Sequence, residues 1–367
     1  MKKNKKGSLF PFGNRLLTSE NKYSNRSYAF MIIGTVIMIV AAVITGIIFS
    51  SITRTMQSVE QELTMDYDKH YAFIAEDSES DFWQEVFAAA NEQSKEYNVY
   101  LEDIKTELGT DNSAEELLRI AVNSKMDGIV YSGGSNDRVR KLIDRAADSG
   151  IGVVVLQNDV ETSRRQCYVG LNYYELGQMY ALQVEKLVAK EKMSDTKVDI
   201  LVDGDMSEGA SNLIVMAMED HLRETSGEEN IPEIVVTRID AEDIFSAEEK
   251  IRNIFLEKEN LPNIMLCANS VYTRCAYQAV VDYNLVGQIQ IVGYFANDTI
   301  LDAVDKQVIF STISVDTNEM GKSCIQALYE YNNMGYTNSY LPVGIEVVDQ
   351  AKAHSMIEEK ADKREEQ

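Results

Sequence analysis

Proline, cysteine, histidine and tryptophan are all scarce in this 367-residue chain, which holds four, four, three and one of them. So few prolines exclude a proline-rich or low-complexity architecture. The cysteines (Cys167, Cys267, Cys275, Cys324) form no C-x-x-C pair and have no histidine at zinc-like spacing. Cys167 and Cys267 lie in apolar strand-like runs and Cys275 and Cys324 in helix-like ones, so buried free thiols are expected. A disulfide remains open to them, since spacing alone cannot pair them. The histidines fall at a segment junction (His70), inside a helical pattern (His221) and near the end of the chain (His354). G-x-S-x-G, H-E-x-x-H, a P-loop and any Cys/His pairing are missing. The chain is therefore read as a non-enzyme with neither cofactor nor metal. The acidic turn DGDMSEG (203–209) lacks the alternating oxygens and twelfth-position acid of an EF-hand loop and fits a loop over a cleft. Positive charge is also short, with 35 Lys and Arg against 59 Asp and Glu and a net charge of −24. Such a body repels phosphate backbones, which argues against nucleic acid as a partner.

The little positive charge there is crowds one end. The first 26 residues carry Lys2, Lys3, Lys5, Lys6, Arg15, Lys22 and Arg26 against one acid, Glu20. The next stretch, SYAFMIIGTVIMIVAAVITGIIFSSIT (27–53), has no charged residue. Spanning a bilayer takes about 20 apolar residues, against roughly 7–15 for the core of a cleaved signal. Neither an A-x-A-like site nor a lipid-accepting cysteine follows. A retained transmembrane signal anchor is thus favoured over a cleaved signal or a buried core helix. Basic flanks stay cytoplasmic, so 1–26 forms a cytoplasmic arm and the rest faces outward. Residues 54–69 form a polar stalk.

From His70 onward, short apolar runs alternate with amphipathic segments. Ten runs have strand character: YAFIA (71–75), VYLED (99–103), GIVYS (128–132), GVVVLQ (152–157), CYVGL (167–171), VDILV (198–202), EIVVTRI (233–239), NIMLC (263–267), IQIVGY (289–294) and VIFSTI (308–313). Between them lie helical patterns such as SDFWQEVFAAANEQSKEY and SAEELLRIAVNSK. This alternation defines βαβ units and parallel sheets covered on both faces. Ten strands exceed one comfortable sheet, so the α/β fold class is two doubly wound parallel-sheet lobes, preceded by one transmembrane helix. In such sheets ligands bind beyond the carboxyl ends of strands. The post-strand segments EDSESDFWQEV, QNDVE, DGDMSEGASN, ANSVY and FANDT gather amides, acids and aromatics, a combination suited to a polyhydroxylated ligand.

Three segments carry a family resemblance: DGIVYSGGSNDRVRKLIDRAADSGIGVVVLQNDV, then CYVGLNYYELGQ, then IVGYFANDTILDAVDKQVIFSTISVDTNEMGKSCIQAL. Together and in this order they resemble the type I periplasmic binding proteins, in the ribose/galactose-binding branch shared with the ligand domains of lactose-repressor-type regulators. An anchor stands where such regulators carry their DNA-binding head. The resemblance implies three crossings between lobes, near Leu171, Val315 and Gly344. It divides the body into an N-terminal lobe (70–171 plus 316–343), a C-terminal lobe (172–315 plus 344–350) and a charged, frayed tail (351–367). It also implies ligand held in the cleft and lobes that close about a hinge.

Carried over position by position, the resemblance places ligand contacts at Ser80, Phe82 and Trp83 after the first strand, and at Gln157 and Asn158 after the fourth. In the second lobe it places them at Asn212, near Ile244 or Phe245, at Asn269, at Phe295 where the family has aspartate, and at the hinge beside Val315 at Asp316. Several have a plainer role available. One of Phe82 and Trp83 belongs to the core if adjacent helical positions cannot both face inward. Asn269 suits a helix N-cap, with or without ligand contact, and Gln157 and Asn158 could form a solvated turn. The aromatics are kept while several charges of the family are replaced, which implies a small neutral sugar-like ligand. Two functions fit: a solute receptor serving an ABC permease, or a ligand sensor signalling through the stalk to a membrane histidine kinase.

Overall fold

A computed structural model describes residue 38 and residues 67–365, apart from 76–77, 109–111, 229, 241–243 and 257–259. The arm, the proposed anchor (27–53) apart from residue 38, and nearly all of the stalk lie outside the described residues. No helix among the described residues is long and apolar enough to cross a membrane.

Twelve strands are present among the described residues: β1 (Lys69–Ala75), β2 (Val99–Asp103), β3 (Gly128–Ser132), β4 (Gly152–Leu156), β5 (Cys167–Gly170), β6 (Lys197–Asp203), β7 (Glu233–Ile239), β8 (Ile264–Cys267), β9 (Gln290–Tyr294), β10 (Ser311–Val315), β11 (Tyr340–Pro342) and β12 (Ile345–Val348). Ten occupy the apolar runs named above. β11 and β12 have no counterpart in the sequence reading, because three and four half-exposed residues carry no usable alternation. The strands form two six-stranded sheets of matching order, β11-β5-β4-β3-β1-β2 and β12-β10-β9-β8-β6-β7. All pairings are parallel except β10–β12. β3 and β4 are buried along their whole length, as strands covered on both faces must be. On β1, Tyr71, Phe73 and Ala75 join one core and Ala72 and Ile74 another on the opposite face, the period-2 alternation of a strand.

The chain passes between the sheets three times. After β5 it enters the helix Tyr173–Leu187, which packs on Glu208–Ser226 in the second lobe. After β10 it enters Thr317–Met334, which packs on Asp81–Glu96 in the first. Between β11 and β12 it returns. These passages lie side by side: the Val343 N–H donates to Gly170 O (3.0 Å) and the Asp316 N–H to Gly344 O (3.0 Å).

The end of the chain departs from expectation. Instead of fraying, Gln350–Glu365 is helical, with Ala353 fully buried and Met356 and Ile357 packed on the second lobe's outer core. That spacing is one face of a helix, and Lys360 adds an ion pair to Asp298 (2.9 Å). All four cysteines are buried and free.

Asp199, inside β6, is 5% exposed, and its Oδ1 has no hydrogen-bond partner among the described residues. Burial raises its pKa, against smaller opposing effects from a hydrogen bond with Thr237 and from Lys197. The folded chain therefore binds this proton more tightly than the unfolded one. The contribution of Asp199 to stability is fully present below the ordinary carboxylate pKa and is lost as pH climbs through the raised folded value. Asp199→Asn is expected to raise the melting midpoint at neutral pH by roughly 2–4 °C, about 1 kcal/mol. The gain should shrink on acidification, as scanning calorimetry across pH will measure.

Candidate functional site: a cleft between the two lobes

The carboxyl ends of the strands in both sheets face one cavity of about 890 Å³, within the range of small-molecule sites. Six of the nine expected residues line it: Ser80, Phe82, Trp83, Gln157, Asn158 and Asn269. Ser80 takes the N-cap position of Asp81–Glu96 with extended backbone, which sets Phe82 and Trp83 in the first turn. Both are buried, at 5% and 7% exposure. The conflict between adjacent helical positions disappears because this turn sits between lobes. Trp83 packs edge-on against Phe73 of its own lobe (6.4 Å), while Phe82 meets Phe295 (5.3 Å) and Tyr294 (6.3 Å) of the other.

Gln157 has φ +63°, a left-handed conformation uncommon outside glycine. Two tyrosines hold it there: the hydroxyls of Tyr168 and Tyr173 both donate to its carbonyl at 2.8 Å. Tyr168 lies in β5 and Tyr173 opens the helix after the first crossing, so the cleft wall at Gln157 is tied to both sides of that crossing. Nothing in a local sequence pattern signals this clamp. Next to it, Asn158 Nδ2 donates to Asp205 Oδ1 across the cleft (3.3 Å), and Ser135 Oγ donates to Asp205 O (3.4 Å). A third bridge between lobes runs from Asn297 Nδ2 to Asp81 Oδ2 (2.9 Å).

Asn269 combines the two roles left open for it. Its Oδ1 caps Ser270–Asp282 by accepting from the Tyr272 N–H (2.8 Å), and its Nδ2 donates to Asp203 Oδ1 (2.7 Å). Burial pushes the Asp203 carboxyl above its usual range, with hydrogen bonds from Tyr272 and Asn269 opposing. The loop beyond Asp203 is stapled by Arg238, which donates to Met206 O (2.5 Å) and Ser211 Oγ (2.9 Å).

Three expected residues lie outside the cavity lining. Asn212 is exposed on the helix Glu208–Ser226; the turn that reaches the cleft ends before it, at Asp205. Asp316 is also exposed, and its carboxylate caps Thr317–Met334 by accepting from the Glu319 N–H (2.8 Å). Phe295 has φ +72°. Its N–H donates to Ile313 O (2.7 Å), and its carbonyl accepts from Thr312 Oγ1 (2.6 Å). This left-handed turn directs its ring into the interlobe packing, and the preceding Tyr294 lines the cleft instead. Of the alternatives at 244 and 245, both line the cavity, and Phe245 is 80% exposed.

Charge in the cleft is richer than the expected substitutions imply. Lys105, Asp203, Asp205, Asp240 and Lys250 all line it. Asp203 had a visible signal, an acid closing the apolar run VDILV. Asp240, directly after the run EIVVTRI, carried the same signal, whereas Lys105 and Lys250 had none, because they arrive from helices whose placement is set by packing.

These features define a two-lobed binding protein of the type I periplasmic class. Residues 71–335 match the family described as "Periplasmic binding protein domain", and the chain belongs to that family, which binds solutes and is not enzymatic. Among solved structures it is similar to GanP, a glucose-galactose binding protein from Geobacillus stearothermophilus: 22% identity, TM-score 0.64, covering 77% of this chain and 98% of that one. A XylFII–LytSN complex is similar at 21% identity and TM-score 0.62, over 77% and 98% of the two chains. A carbohydrate transporter solute binding protein from Agrobacterium radiobacter, in complex with D-arabinose, is 16% identical with TM-score 0.63, over 78% and 96%. No curated protein matches the chain.

Proposed function

We propose that this chain is a membrane-anchored, extracytoplasmic receptor that captures a sugar or sugar-like molecule between its lobes. The observation that carries this reading is the interlobe cavity, which sets buried aromatics from one lobe opposite a fixed amide–carboxylate pair from the other. Apolar C–H faces and hydroxyls of one small ligand would find partners on both sides. Support for the anchor is the uncharged run 27–53 with its basic flank. Delivery to an ABC permease is the first reading of its role. Signalling to a membrane histidine kinase is the second, favoured by the similarity to a relative solved in complex with a second protein, LytSN.

The test uses full chain purified from membranes. Its N-terminal sequence should begin within 1–26, and a start after Ser51 would overturn the anchor. Its melting midpoint should rise with one of D-glucose, D-galactose or D-arabinose, since a ligand bound only by the folded state stabilises by mass action: about 2.7 kcal/mol at a hundredfold excess over Kd. No rise with any sugar or polyol would overturn the receptor reading. Co-purification with a permease and ATPase, or with a kinase, separates the two roles.

A further inference from the structure

Three neighbouring strands of the second sheet, β6, β8 and β9, reach the cleft at Asp203, at Asn269 two residues past the end of β8, and at Tyr294. Tyr294 is 2% exposed, and its hydroxyl has no hydrogen-bond partner among the described residues. A buried hydroxyl left in this condition costs free energy, so its retention over phenylalanine calls for a reason. Packing gives none, because the ring alone supplies the contact with Phe82. The backbone beneath is rigid: Thr273 Oγ1 accepts from the Tyr294 N–H (2.9 Å) and donates to Asn269 O (2.8 Å).

Asp203 is similarly prepared. Asn269 fixes its Oδ1, and the carboxylate makes no ion pair among the described residues. A half-buried carboxylate at a cleft wall, without a countercharge, is held ready to accept from a neutral donor. The two groups also sense each other. After burial, Tyr173 and Asp203 are the causes that push the Tyr294 hydroxyl well above its ordinary pKa, which keeps it protonated and therefore a donor.

We propose that Asp203 and Tyr294 form the ligand-selecting pair of the second lobe, an acceptor beside a donor that together take a hydroxyl-bearing edge of a neutral sugar or polyol. This rests on the receptor reading above and names the chemistry by which that cleft chooses. A hydroxyl that donates to Asp203 and an adjacent oxygen that accepts from Tyr294 satisfy both groups at once. Neither group was among the contacts carried over from the family, and the chain carries Tyr294 one residue before the position where the family has its aspartate.

The experiment compares Tyr294→Phe and Asp203→Asn with the parent as purified full chain. Tyr294→Phe, measured without sugar, should melt higher by roughly 2–4 °C, because an orphaned hydroxyl is removed. Titration calorimetry with D-glucose, D-galactose and D-arabinose should show binding weakened roughly tenfold to a hundredfold in each variant, for whichever sugar the parent binds. A lower melting point for Tyr294→Phe would mean that the hydroxyl holds the fold together, and would overturn the proposal. So would parent-like affinity in both variants, while leaving the receptor reading intact. A parent that binds no sugar or polyol would sink that reading and this one together.

Discussion

Trp83→Ala should be the most damaging single change in the cleft, lowering stability by about 3–5 kcal/mol, the range for emptying a buried tryptophan site. Trp83 is 7% exposed and wedged between Phe73 (6.4 Å) and Phe82 (5.0 Å), both edge-on. Removing it forfeits both aromatic contacts, each worth about 0.5–1.5 kcal/mol beyond area burial. The melting midpoint of the full chain should drop by roughly 10 °C. Affinity should fall as well, because Phe82 loses the ring that positions it at the cleft. Trp83→Phe keeps an aromatic in the wedge and should recover most of the stability. An unchanged midpoint for Trp83→Ala would show that its surroundings do not depend on the ring.

Gly321→Val should destabilise by about 3 kcal/mol, the upper end of the usual cost of overpacking. Gly321 lies where Thr317–Met334 crosses Asp81–Glu96. A Cβ there would come within 2.3 Å of Val86 O and 2.8 Å of Ala90 N. These are backbone atoms of a packed helix and cannot swing aside as a side-chain end can. The second lobe repeats the device. A Cβ at Gly177 would approach Ile214 O to 2.4 Å where Tyr173–Leu187 meets Glu208–Ser226. Each glycine is the fifth residue of a helix that begins just after a crossing, in NYYELG and DTNEMG, behind caps at Asn172 and Asp316. Gly177→Val is expected to cost a similar amount. Urea unfolding of the two variants checks both, and a parent-like midpoint for either would show that the helices can separate without penalty.

The family's hinge position shows what transfer by position leaves open. Asp316 was carried to the ligand, yet its carboxylate caps a helix, and its backbone bonds Gly344 where two crossings touch. A ligand role and a capping role both favour a short acid after a strand, so the residue type alone could not separate them. Phe295 differs again: at one left-handed residue its ring meets Phe82 of the other lobe, and the preceding Tyr294 lines the cavity.

Local physics explains what the sequence by itself determined. Ten strands, the helices between them and the α/β class follow from apolar periodicity, since period 2 and period 3.6 each face a core in only one way. Caps at Ser113, Asn136, Asn172, Ser207, Asn269 and Asn297 are equally local, because a side-chain oxygen need only reach an N–H two or three residues on. Tertiary structure alone decided which distant residues share the cleft. The bond from Asn158 to Asp205 spans 47 positions and that from Asn269 to Asp203 spans 66, and both depend on how strand ends line up across sheets. The unpartnered Tyr294 hydroxyl and the clamp on Gln157 belong to the same class. Whether a polar atom has a partner depends on packing around it in three dimensions, and no run of neighbouring residues carries that information.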